Sequence, residues 1–287
     1  GLLGSFLLLR RDSLLGDALS HAVLPGIIAG FAITGARAGL PMLLGALAAA
    51  LLAVFLIGLV RRVARLESGA ATGAVFTSFF ALGLMLIEAT GARSVDLDLD
   101  CVLFGQLESL VWLEAQGFGS LLDPVALAAL PRQLFLLAAV AVVLAGLVAL
   151  LWRPLHLLCF DPDYAAAIGL PARGLELALN LMVAAAAVAA FEAVGSILVV
   201  AMLVCPAAAI RLLTDSYRTQ VLGGAVLGAA LGALGYALAG PLPAAFGQSF
   251  SLNAAGVIGT LGGVTVAGGM LLRQLRNASP KPAIISG

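Results

Sequence analysis

A single lysine, Lys281, stands in this chain of 287 residues, and charged side chains make up only 10% of it. That scarcity excludes the phosphate-gripping loop Gly-x-x-x-x-Gly-Lys-Ser/Thr, so the chain does not bind and hydrolyse ATP by that device. No His-Glu-x-x-His, Gly-x-Ser-x-Gly or Cys-x-x-Cys occurs either, which speaks against an enzyme. The three cysteines, Cys101, Cys159 and Cys205, are scattered and form no disulfide framework. Cys205 lies in an apolar run and reads as a small buried hydrophobe rather than a soft metal ligand. Fifteen basic residues balance fifteen acidic ones. With no basic excess, nucleic acid is not a partner.

What is abundant is apolar surface. The chain is 62% hydrophobic with a mean hydropathy of +1.13, whereas soluble domains are roughly 45–50% apolar. This is an all-α polytopic membrane protein embedded in lipid. Long apolar runs place helices near 14–35, 40–60, 69–89, 131–152, 174–193, 195–212, 220–239 and 253–272. Gly1–Leu9 is too short for a span of about 20 residues and reads as the end of a truncated N-terminal helix. The bundle therefore has about eight to nine transmembrane helices in one domain, 1–287. The apolar segment 101–113 is short enough to be interfacial or re-entrant. Alternating the spans puts twelve of the fifteen basic residues on one face, leaving Arg37, Arg93 and Arg132 on the other. The positive-inside rule makes the first face cytoplasmic, with 273–287 as a cytoplasmic tail. The other face carries Asp96, Asp98, Asp100, Glu108, Glu114 and Asp123, either a solvated loop or a metal-attracting mouth. Gly26/Gly30 and Gly224/Gly228/Gly232 repeat at four-residue steps and predict close helix packing.

Against this background Asp17 and His21 stand out. They are one turn apart in Leu14–Gly26 and project from one helical face. A carboxylate oxygen and an imidazole nitrogen make a two-ligand grip on a divalent metal, and ionisable groups in a membrane are costly enough to suggest function. The alternative is a hydrogen-bonded pair that fixes helix packing. Pro25-Gly26 follows at once and predicts a helix break beside the pair, by removing a backbone hydrogen bond near His21. Elsewhere, Asp161-Pro162-Asp163 is a helix-start signal and Gly169 and Pro171 are stop signals, giving a short helix over 161–170 on the basic face. Glu176 and Asn180, also four apart, read as snorkelling or capping residues, and His156 beside Arg153 as interfacial. Glu192 is an unexpected carboxylate at a span end.

The stretch Leu9-Arg10-Arg11-Asp12-Ser13-Leu14-Leu15-Gly16-Asp17-Ala18-Leu19-Ser20-His21-Ala22-Val23-Leu24-Pro25-Gly26 resembles the signature of the integral membrane permeases of bacterial manganese, zinc and iron ABC importers. The segments Val95–Gln106, Phe160–Leu170 and Val194–Ala208 resemble further family segments in the same order. The resemblance implies a fold like that of type II ABC importers and a location in the bacterial inner membrane. It also implies a second permease subunit, two cytoplasmic ATPases and an extracytoplasmic metal-binding protein. By the same resemblance Asp17 and His21 are the metal site, and 161–170 is the coupling helix, with Asp161, Asp163, Tyr164, Ala167 and Gly169 facing the ATPase. The cargo is Mn²⁺, Zn²⁺ or Fe²⁺, manganese being favoured by the Asp oxygen and the outer-loop segment, and no cofactor is permanently bound. Two other readings stay open: a self-sufficient secondary metal transporter or channel, and a cobalamin- or siderophore-type ABC permease. The first predicts inverted repeats, and the second has no need of Asp17 and His21.

Overall fold

The computed structural model describes residues 1–34, 39–90, 131–240 and 252–278. These residues form eleven helices: α1 (Leu2–Leu9), α2 (Leu14–Ala22), α3 (Leu24–Thr34), α4 (Gly39–Val63), α5 (Ser68–Thr90), α6 (Arg132–Leu150), α7 (Trp152–Phe160), α8 (Pro162–Ala167), α9 (Ala172–Leu213), α10 (Tyr217–Ala239) and α11 (Ala254–Ala278). No strand occurs among the described residues. In lipid every backbone N–H and C=O must find a partner within its own segment, and long apolar helices satisfy this. Eight helical stretches are long and apolar enough to span a bilayer, and they coincide with the eight expected spans to within a few residues. The segments 101–113 and 95–106, the acidic residues between Asp96 and Asp123, Arg37, Arg93, Cys101 and Lys281 lie outside the described residues.

Three boundaries differ from the sequence expectation. The span near 131–152 ends at Leu150, and a separate helix, α7, fills the approach to α8. The expected tail from 273 begins inside α11, which runs on to Ala278 because no helix breaker precedes Pro280. The third lies in α9, where two spans form one 42-residue helical run interrupted at Gly195. As a straight rod such a run would measure about 63 Å, twice the hydrocarbon thickness. It folds back instead: Ala186 and Ala190 line the same cavity as Met202 and Leu203. The turn is made at Gly195, whose φ of 72° and ψ of 169° suit a residue without Cβ. Glu192 falls just before this reversal.

Helix approach is governed by small residues, as the repeat pattern predicts, though unevenly. A Cβ on Gly26 would land on the Gly45 carbonyl oxygen and 2.7 Å from Ala49 Cβ, and one on Gly45 would land on the Gly26 carbonyl oxygen. Backbones of α3 and α4 thus touch with no side chain between them. On α10, a Cβ on Gly224 would come within 2.6 Å of Ser5 Oγ, whereas one on Gly228 or Gly232 would meet neighbours only at 3.6 Å or more. Gly235, outside the expected triplet, carries the contact to Ile258 of α11. Buried polar groups tie the same layer: Ser5 Oγ donates to the Gln220 carbonyl at 3.1 Å, and Gln220 Nε2 donates to the Ala207 carbonyl at 2.9 Å. The α2–α3 span is the most enclosed, with 67% of its apolar window buried, against 6% for the peripheral α6.

The arginine-rich ends of the helices meet at one end of the bundle. Glu176, at the start of α9, binds Arg10 at the end of α1 and Arg61 at the end of α4. Tyr217, opening α10, packs its ring on Trp152, His156 and Phe160 of α7 and Phe6 of α1, at centroid distances of 4.3–6.0 Å. Arg276, near the end of α11, donates to the Leu213 carbonyl at the end of α9. These contacts are the structural counterpart of the basic-face assignment made from the sequence.

Candidate metal site and docking helix

Both candidate ligands are brought together on α2. Oδ1 of Asp17 lies 3.6 Å from Nε2 of His21, with the carboxylate side chain 43% and the imidazole 22% exposed. The separation is too long for a hydrogen bond. Two donors each about 2.1 Å from a shared metal and near the tetrahedral angle would stand about 3.4 Å apart, so the pair fits a common cation. Their neighbours Leu15, Gly16, Ala18, Leu19, Ser20 and Ala22 are buried. A Cβ on Gly16 would come within 2.7 Å of Leu203 Cδ1, so α2 is pressed close to α9 while its ligand face stays open. Phe76 and Phe80 of α5 flank the imidazole at centroid distances of 5.5 and 5.7 Å and fix its orientation. Among the described residues no third His, Cys, Asp or Glu joins them, so these residues offer two candidate ligands.

The helix breaks beside the pair, two residues before Pro25. α2 ends at Ala22 and α3 begins at Leu24, leaving Val23 as the joint. The Val23 N–H donates to the His21 carbonyl, so that oxygen is not left free. Pro25 sits in the first turn of α3, where its missing N–H costs nothing, and the N–H groups of Gly26 and Ile27 both donate to the Val23 carbonyl. Gly26 serves the contact with α4 described above rather than the break itself.

A cavity of about 560 Å³ lies between α9, α10 and α11. It is lined by apolar residues such as Ala186, Val194, Leu198 and Met202, with no carboxylate or imidazole and nothing from α2. It is no part of the candidate metal site.

The short helix on the arginine-rich end is real but briefer than 161–170. α8 spans Pro162–Ala167, with Asp161 outside it as N-cap, accepting the Tyr164 N–H at 2.8 Å. Pro162 takes the first helical position and Asp163 adds a carboxylate to the first turn. Gly169, at φ 86°, closes the other end, and the Leu170 N–H returns to the Ala165 carbonyl at 3.0 Å. Ala165 is fully buried, while Asp161, Asp163, Ala167 and Gly169 are exposed. Phe160 at the end of α7, Tyr164 of α8 and Ile168 just beyond it are each about half exposed. Exposed large apolar groups beside polar ones mark a contact surface. Next to Phe160 in sequence, Cys159 is shielded enough that burial pushes its thiol up to about 11, Arg10 opposing the shift. His156 packs its ring against Tyr217 and Phe160.

Sequence reasoning missed the role of Glu176. Its Oε1 receives Arg10 Nη2 and Arg61 Nη1, each at 2.8 Å, so it pairs across the fold. The partners are 166 and 115 residues away in sequence, and no local spacing rule reaches that far. Half-buried Cys205 packs against Gly262 of α11, in keeping with the apolar reading.

Known proteins share both sequence and architecture with this chain. The profile of the ABC 3 transport family matches residues 1–116 and 118–284. The chain is 37% identical over 236 residues to the manganese transport system membrane protein MntD of Bacillus subtilis (strain 168), covering 82% of this chain and 77% of that protein. It is 33% identical over 245 residues to the zinc transport system membrane protein TroC of Treponema pallidum (strain Nichols), covering 85% and 76%. Among solved structures, PsaBC from Streptococcus pneumoniae in complex with Fab superposes with a TM-score of 0.69 at 29% identity, over 95% of this chain and 84% of that one.

Proposed function

The chain belongs to the ABC 3 transport family, and from that premise we propose that it is the permease subunit of an ATP-driven importer for a divalent transition metal in the bacterial inner membrane. The observation that carries the metal reading is the Asp17–His21 pair, 3.6 Å apart on the open face of the most enclosed span. Manganese and zinc are the metals named for relatives sharing about a third of their residues with this chain. Fe²⁺ satisfies the same mixed oxygen and nitrogen donors, and manganese is preferred on the strength of the carboxylate.

One chain supplies half a shell, so a second permease subunit facing the open side of α2 would bring a further pair of ligands. A shell assembled from mobile halves suits transport, because release has to follow binding. The phenylalanines beside His21 hold the ring edge toward the site. They also exclude water from one flank, which strengthens the metal's electrostatic hold there.

Hydrolysis of ATP belongs to separate cytoplasmic subunits, since this chain lacks the phosphate loop. The exposed apolar side chains Phe160, Tyr164 and Ile168 are offered to them, with α8 as the coupling helix. The Asp161 cap and the Gly169 turn hold it rigid enough to transmit a push. An extracytoplasmic metal-binding protein delivers cargo to the opposite face. The test is reconstitution of the permease with its ATPase and binding protein in liposomes, followed by uptake of Mn²⁺, Zn²⁺ and Fe²⁺. Uptake that requires ATP is expected. Equal uptake without ATP would establish instead a self-sufficient secondary transporter or channel.

A further inference from the structure

Between the docking helix and the metal site lies a charge cluster that neither role accounts for. Both arginines end on the same oxygen, Glu176 Oε1, at 2.8 Å each. One arginine caps α1 and the other closes α4, while Glu176 stands five residues beyond Pro171, where the chain leaves the turn after α8. The α1 arm continues directly into the metal-site helix. Arg10 is followed by Arg11, held at φ 59° in the left-handed region, and by Asp12, which accepts Ser68 Oγ of α5 at 2.5 Å and lies 3.6 Å from Arg10 Nε. A non-glycine residue stays in that region only where its surroundings over-determine it. Here it is pinned on both sides, Arg10 by Glu176 and Asp12 by Ser68. Asp17 comes five residues after Asp12.

The cluster is also built to change. Glu176 and Arg61 are about one-third exposed, so their pairing is screened and can exchange. Arg10 is only 13% exposed, and its buried Nη1 finds no hydrogen-bond partner among the described residues. A buried donor left unsatisfied marks an arrangement that is not the best available for that group.

We propose that Glu176 is a positioning residue for transport, a latch that transmits displacement of α8 through Arg10 and the Arg11 elbow to Asp17. The proposal rests on the importer reading above. When α8 is pushed, the start of α9 moves with it, and Glu176 carries Arg10 along. The elbow then turns α2 relative to the phenylalanines of α5, altering the geometry offered to the metal. Arg61 holds the same oxygen against α4 and sets the resting position from which the movement starts.

The experiment uses the complete transporter in liposomes, with ATP hydrolysis and Mn²⁺ import measured on the same preparation. In Glu176→Gln, which keeps the shape and removes the charge, import per ATP hydrolysed falls at least about fivefold, the lower end of ordinary site-to-site coupling. Hydrolysis itself stays within about twofold of wild type, because no ATPase contact has changed. Arg61→Gln, which leaves Arg10 paired, lowers the ratio by a smaller factor and serves if Glu176→Gln does not assemble. An unchanged ratio in whichever variant assembles, with import and hydrolysis falling together or not at all, overturns the latch and assigns the cluster to stability alone. Failure of the wild-type complex to import with ATP would instead overturn the importer reading, so the two failures are distinct.

Discussion

Adding one methyl group to Gly26 tests how the metal-site span is held. Its Cβ would lie 2.6 Å from the Gly45 carbonyl carbon and 2.7 Å from Ala49 Cβ, whereas carbon atoms rest about 3.5–4.0 Å apart. Helices α3 and α4 must therefore separate by about 1 Å, and neither obstacle is a flexible side-chain end that could swing away. Overpacking of this kind costs about 1–3 kcal/mol. Gly58 of α4 is the control, because a Cβ there meets nothing within 4 Å. Gly58→Ala should gain about 0.5–1 kcal/mol from helix propensity. Thermal unfolding of the purified permease in nanodiscs should place Gly26→Ala several degrees below wild type, at about 2–4 °C per kcal/mol, and Gly58→Ala at or above it. Metal import should also fall in Gly26→Ala, since α3 begins two residues after the end of α2. If the two variants melted together, backbone-to-backbone packing would not be what holds this span.

Three further outcomes follow from the local geometry. With its thiol raised from 9.0 to about 11 by burial, Cys159 in a background lacking the other cysteines should alkylate about a hundredfold more slowly at pH 8 than in the denatured chain. Its rate should keep rising tenfold per pH unit through pH 10, since deprotonation is deferred upward, and a plateau near 9 would contradict the burial. Gly195→Ala places a Cβ at φ 72° and should cost about 1–3 kcal/mol, read as a lower Tm; an unchanged Tm would show that the reversal of α9 does not depend on that conformation. Asp161→Ala removes the cap on the Tyr164 N–H and should loosen α8 by about 1 kcal/mol, read as weaker retention of the ATPase on the immobilised permease; full retention would count against α8 as the docking element.

Much of the fold was legible because lipid imposes simple rules. Runs of apolar residues located all eight spans among the described residues, and arginine asymmetry grouped the connections that the structure brings to one end. The short helix α8 was legible from Asp161, Pro162 and Gly169, each of which acts within a few residues of itself in sequence. The closeness of Asp17 and His21 was legible for the same reason, the two being one helical turn apart. Interactions between distant segments were not. Nothing local to Glu176 announces Arg10 and Arg61, and nothing local to Tyr217 announces Phe6, Trp152 and His156. Pro25 pointed to a break around His21, and the joint between α2 and α3 falls at Val23, two residues before the proline. Glycine spacing showed that close packing would occur but not which glycine makes it, so Gly224 fitted the expectation and Gly235 had to be found in three dimensions.

The central claim is that metal passes between Asp17 and His21, and uptake into liposomes holding the complete transporter tests it directly. Asp17→Asn and His21→Gln keep size and polarity while removing the anionic oxygen and the ligand nitrogen. Each alone should lower the initial rate of ATP-driven Mn²⁺ uptake at least about tenfold, and the pair together should bring it to background, with the complex still assembled and hydrolysing ATP. Uptake in the double variant at half the wild-type rate or more would show that the metal takes another route.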